Sequence, residues 1–177
     1  SALVTQTRRE DLDNPKFQGT KTNTNFDASA AALTLTNPAT NLSGEYAFNT
    51  VLDLGGVFSL DLKRHFLSEG FYIGTLFDSR TALIDTWTDF DGAEATAVNA
   101  KLLVATTQDN PSSGSPTFTA FQIFANGTYK GRGFKFKTEL TSGDPAQNIR
   151  ISQLGYTASL QRRVEQSNAL TANGSTN

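Results

Sequence analysis

Residues 130–137 read KGRGFKFK, with four basic residues and two phenylalanines in eight positions. Two opposed readings fit: a basic, aromatic strip for nucleic acid, or a strand that turns its charges to water. The RNA-binding signature K/R-G-F/Y-G/A-F-V-x-F/Y decides between them. Aligned on Lys130, the chain keeps Lys130, Gly131, Gly133 and Phe134. Arg132 stands where an aromatic ring must stack on a base, and Lys135 and Lys137 replace the valine and the last aromatic. The signature fails at the positions that carry its mechanism. Read as a strand, Phe134, Phe136, Thr138 and Leu140 share one face, and Lys135, Lys137 and Glu139 share the other. The stretch therefore predicts a β-strand with its phenylalanines in a core.

The same period of two recurs outward from it. Phe58, Leu60, Leu62 and Phe66 alternate with Ser59, Asp61, Lys63 and His65. Leu33 and Leu35 alternate with threonines, and Tyr46 and Phe48 follow the same rule. FYIGTLF (71–77) and KLLVATT (101–107) are further strands. Asn126-Gly127 predicts a two-residue hairpin turn before the opening stretch, since both residues tolerate positive φ. In IRISQLGYTASLQRR, Ile149 and Ile151 share one face, whereas Leu154, Tyr156, Ala158 and Leu160 keep the opposite parity. A bulge near Ser152-Gln153 reconciles them. About eight mainly antiparallel strands predict an all-β, jelly-roll β-sandwich. One short helix is expected over DGAEATAVN (91–99), which Asp91 and Glu94 would cap. Residues 1–25 lack a period and read as an extended N-terminal arm, 26–166 as the sandwich, and 167–177 as a polar, flexible C-terminal tail.

Composition narrows the function. The 177 residues suit one domain, and thirteen phenylalanines supply much of its core. The net charge of −2 argues against a nucleic-acid partner, whose affinity rests on phosphate contacts. No apolar run is long enough to span a membrane, which takes about 18–20 residues. The absence of cysteine removes disulfides and thiolate chemistry, and the absence of methionine reads as a processed product or an excised domain. His65 is the only histidine, on the same parity as Asp61 and Lys63, and reads as a solvent-facing strand residue. There is no G-x-S-x-G elbow, P-loop or dinucleotide fingerprint, so the chain reads as non-enzymatic. The sequons at Asn41, Asn126 and Asn173 are short enough to recur by chance.

The most informative loop is FDSRTALIDTWTDFDGAE (77–94), which holds the only tryptophan. Trp87 and Tyr72, with Arg80, Asp85 and Asp89, combine an apolar aromatic face with groups that bond hydroxyls, as sugar recognition requires. Trp87 also suits a plug at one end of the sandwich, the commoner place for a lone tryptophan. Asp85, Asp89 and Asp91 offer oxygens to Ca²⁺, though not at EF-hand spacing, and Asp91 has a competing task as helix cap. No other cofactor is expected.

VLDLGGVFSLDLKRHFL (51–67), and YKGRGFKFKTEL (129–140) followed by IRISQLGYTASLQ (149–161), resemble an early strand and the closing strands of discoidin-like, galactose-binding-like domains. A closer resemblance is to a module of bacteriophage tail-tip, or host-specificity, proteins. It is carried by VLDLGGVFSLDLKRH, DSRTALIDTWTDFDG, NGTYKGRGFKFKTELTSGDPAQNI and LQRRVEQS, which together cover most of residues 45–167. The resemblance implies a virion component at the distal end of the tail. Its partners would be a host surface glycan or receptor and other tail subunits. Two other functions suit the same fold: a structural spacer or docking domain within the tail, and a carbohydrate-binding accessory of a glycan-degrading enzyme.

Overall fold

The structure is a computed structural model, and it describes residues 2–38, 42–73 and 97–162. Ten strands lie within those residues: β1 (Ala2–Arg9), β2 (Thr20–Thr22), β3 (Thr24–Asp27), β4 (Ala32–Leu35), β5 (Ser43–Ala47), β6 (Leu52–Tyr72), β7 (Val98–Thr107), β8 (Gln122–Ile123), β9 (Gly127–Ser142) and β10 (Gln147–Arg162). A 3-10 turn spans Glu10–Leu12. Every strand pairing is antiparallel. The all-β expectation holds, with a single sheet curled nearly closed into a barrel-like sandwich.

Closure follows from long strands that change neighbours. Along β6, Leu52–Leu62 pairs with β9, and Asp61–Tyr72 pairs with β10. The sheet runs β2-β5-β9-β6-β10-β4-β3, so its two ends are successive strands of the chain. Only Asn23, at φ 52°, separates them. Thr24 Oγ1 donates to Glu45 O at 3.0 Å, which ties β3 across the seam to β5.

The opening stretch behaves as its parity requires. Phe134, Phe136 and Leu140 are buried, while Lys135, Lys137 and Glu139 lie outward and half-exposed. Phe136 stacks on Tyr156 at 4.4 Å between centroids and packs on Phe48 and Phe124 at 5.3 and 5.5 Å. Outside, Lys135 lies 4.2 Å from the Phe118 ring centroid and Lys137 lies 4.4 Å from that of Phe121. Glycine at 131 has a steric reason: a Cβ there would come within 2.4 Å of Thr106 Cγ2. The bulge in β10 is present, with the register slipping between Ile151 and Gln153.

The segment read as an extended N-terminal arm, 1–25, joins the sheet, and three expectations change. Ala2–Arg9 pairs with β10, and Glu10, Asp11 and Phe17 are buried. Val4–Thr7 are exposed, so the strand leaves no burial alternation for a period to reveal. Asn126-Gly127 is not a hairpin turn, because β8 pairs with β7, and Asn126 Oδ1 instead accepts the Arg64 N–H at 2.7 Å. Phe58 is 38% exposed, because β6 slips between Asp53 and Phe58 against only Gly133 and Gly131 of β9. The helix expected over 91–99 cannot include its last two residues, since Val98 and Asn99 pair with Ser142 and Thr141. Residues 91–96 lie outside the described residues.

Candidate functional site

Trp87, Arg80, Asp85, Asp89 and Asp91 lie outside the described residues, so the sugar and Ca²⁺ readings of their loop find no geometry to judge them. The residues flanking 74–96 are both tied to the β9–β10 connection: Ile73 N donates to Ala146 O, and Gly143 N donates to Ala97 O, each at 2.7 Å. Tyr72 ends β6, half-buried, and its hydroxyl accepts from Gln147 Nε2 at 3.3 Å. Among the described residues, no group of three or more His, Cys, Asp or Glu gathers as a metal site would. Nor is any helix there long and apolar enough to cross a membrane.

Among the described residues, two ionic clusters on β10 differ in how fully their groups are bonded. The first is at the 3-10 turn after β1. Glu10 accepts from Arg8 Nε at 2.8 Å, from the Tyr46 hydroxyl at 2.5 Å and from Asn49 N at 3.2 Å. Asp11 accepts from Arg9 through both nitrogens, at 2.9 and 2.8 Å, and from the Leu154 N–H at 2.9 Å. Burial pushes Asp11 up, but the Arg9 hydrogen bond and the Leu154 N–H outweigh it and hold the carboxyl below its usual range. Burial and the bond to Glu10 raise the Tyr46 hydroxyl, and burial pushes Tyr156 up to about 12. Glu10 has no exposed surface and its oxygens are engaged. This cluster therefore latches the N-terminal segment to the sheet and leaves no face for a ligand. His65 lies beside it, half-buried, with Nε2 2.7 Å from Thr157 Oγ1.

The second cluster is open. A cleft of about 360 Å³ lies between the β3–β4 turn and the outer face of β6 and β10, lined by Asp27, Ser29, Ala30, Glu69, Arg150 and Ser152. Alternation along β10 buries Ile149 and Ile151 and turns Arg150 outward, and the slip that follows leaves Ser152 beside it. Glu69 stands directly opposite Arg150 across the β6–β10 ladder. The Arg150 guanidinium carbon lies 3.8 Å from the Phe71 ring centroid, which fixes the fork by cation–π attraction. Its one hydrogen bond is long, 3.5 Å from Nη1 to Glu69, and its buried Nε has no partner. On the other wall, the Ser29 hydroxyl and the Ser29 and Ala30 N–H groups donate to Asp27 Oδ1 at 2.7, 3.0 and 3.4 Å. These bonds, with the Ser29 hydroxyl first, hold Asp27 below the usual carboxylate range.

No reading of the sequence gathered these residues, because 27–30, 69 and 150–152 meet only when the sheet closes. The available signal was the phase slip at Ser152, since bulges re-aim side chains and recur beside functional sites. In comparisons with known proteins, no family model matches the chain, no curated protein matches it, and no solved structure matches it.

Proposed function

We propose that the chain is a non-enzymatic, glycan-contacting module of a phage tail tip. The resemblance of residues 45–167 to tail-tip modules supplies the setting. The observation that carries the reading is the Arg150 cleft, a concavity where donors and acceptors converge and the guanidinium makes only a long bond to Glu69. A sugar ring presents hydroxyls that both give and accept hydrogen bonds, which suits carboxylates beside a guanidinium. The test is binding of the full chain to a glycan array and to purified bacterial surface polysaccharides. Retention on at least one polysaccharide, reduced by Arg150→Ala, is expected; retention on none overturns the reading.

A second reading, docking within the tail, is favoured by β1. All eight residues of the strand pair one-to-one with β10, and its other edge has no strand partner among the described residues. Val4–Thr7 there include no charge, proline or bulge, the features that normally blunt a free edge. Such an edge accepts a strand from a neighbouring subunit. Sedimentation across a range of concentrations, with other tail subunits present, tests it.

A further inference from the structure

We infer that the Arg150 cleft selects a neutral sugar ring and rejects acidic sugars, a conclusion that rests on the glycan-contacting reading above. Charge comes first. Arg150 is the one cation among the lining residues, and Asp27 and Glu69 are both acids. The bonds from Ser29 and Ala30 keep Asp27 ionised, and Glu69 faces Arg150 across the strands. A uronate, sialate or phosphate could reach the guanidinium only by bringing a negative charge beside two others, which disfavours it.

Hydrogen-bond capacity points the same way. Ionised carboxylates only accept and a guanidinium only donates. A ligand carboxylate could satisfy Arg150 but would offer nothing to Asp27 or Glu69. A sugar hydroxyl does both: its oxygen accepts from Arg150 and its hydrogen goes to a carboxylate. Ser152 takes either role. The donors that a hydroxyl can reach are the outer nitrogens of Arg150, whose printed bond is the long 3.5 Å one to Glu69.

Size and shape bound the rest. A volume of about 360 Å³ lies at the small end of the roughly 300–1,000 Å³ of ligand pockets, room for one ring rather than an extended chain. Ala30 and Ala32 supply the only apolar lining. Phe71 offers no stacking platform on the face that the guanidinium occupies. The cleft therefore binds weakly and is selective through polar matching.

The experiment is an NMR titration of the full chain with glucose, galactose, mannose and N-acetylglucosamine, and separately with glucuronate, N-acetylneuraminate and inorganic phosphate. At least one neutral sugar should shift the Arg150 side-chain signal and the Ser29 and Ala30 amides, and bind at least tenfold tighter than any acidic probe. Arg150→Ala should weaken that sugar at least tenfold. Arg150→Lys, which keeps the charge but loses the planar fork, should weaken it nearly as much. Glu69→Gln should narrow the gap between glucuronate and the neutral sugar by severalfold. Acidic probes binding as tightly as the neutral sugars would overturn the inferred selectivity while leaving a glycan site. Shifts elsewhere, with polysaccharide still retained, would overturn the assignment to this cleft alone. Loss of all polysaccharide binding would overturn the function on which it rests.

Discussion

Arg8 and Arg9 meet Glu10 and Asp11 where the N-terminal segment folds against β10, and Arg150 meets Glu69 and Asp27 on the outer face of the same strand. The residue types match, but the use of their bonding does not. In the first cluster the carboxylates are buried, at 0% and 5% exposure, and are bonded by side chains and by backbone N–H groups from distant segments. In the second, Arg150 has one long bond and a buried nitrogen with no partner. A saturated cluster is committed to holding the fold, and an unsaturated one keeps capacity for a ligand. Variants of each should therefore fail in different assays.

The largest effect is expected at Glu10. Its removal leaves the buried Tyr46 hydroxyl and the Asn49 N–H without their acceptor, while part-exposed Arg8 keeps Asp13 at 2.6 Å. A buried polar group left without its partner costs about 1–3 kcal/mol. Glu10→Ala should lower stability by about that amount in urea unfolding, with no change in sugar selectivity of the molecules that remain folded. A loss under about 1 kcal/mol would make this cluster as open as that of Arg150.

Gly155 tests the same latch sterically. A Cβ there would fall 2.0 Å from Arg8 O and 2.9 Å from Arg9 Cα, both backbone atoms that cannot swing aside. Gly155→Ala should cost about 1–3 kcal/mol, as overpacking typically does. Hydrogen exchange should rise across β1 and the 3-10 turn and stay unchanged at the β3–β4 turn. Equal loosening of both regions would mean that latch and cleft are not separate.

These two positions also mark where the sequence was legible. Phe134 and Phe136, and the run Leu154 to Leu160, could be read because each strand has one buried face, and even the slip at Ser152 showed as a change of parity. β1 was opaque for the opposite reason, since Val4–Thr7 are exposed and no alternation exists. Glu10 and Asp11 were opaque because charge at a buried position is understood only through its partners, and Asn49 and Leu154 lie far along the chain. The cleft joins three separated segments, so local pattern could not find it. Its Arg150 looked like any outward strand residue.

Acid should loosen the latch before the rest of the sheet. Asp11 is held below its ordinary 3.8, and His65 is held below its ordinary 6.5 by burial and by the charges of Arg9 and Lys63. Both groups bind fewer protons folded than unfolded, so stability rises with pH wherever they titrate. Their contribution is complete above 6.5, begins to fall as His65 protonates below that value, and falls again below 3.8 as Asp11 protonates. Melting temperatures measured from neutral pH to pH 3 should trace both steps. His65→Gln should remove the upper one, and Asp11→Asn should shrink the lower, to which Asp27 and Asp53 also contribute. A flat profile would deny the latch its ionic character.

The smallest effect on stability is expected at Arg150, and there the contrast between the clusters is sharpest. Its contacts are an exposed pairing with Glu69 and the cation–π contact with Phe71. A surface ion pair contributes about 0–1 kcal/mol, and an exposed cation–π contact about 0.5–1 kcal/mol. Removal also frees a buried nitrogen that had no partner, which offsets part of that loss. Arg150→Ala should therefore unfold within about 1 kcal/mol of the parent protein in urea, while losing the neutral-sugar shifts. If the variant were instead destabilised as much as Glu10→Ala, Arg150 would be a second structural latch. The cleft would then be a feature of the packing rather than a place for a hydroxyl.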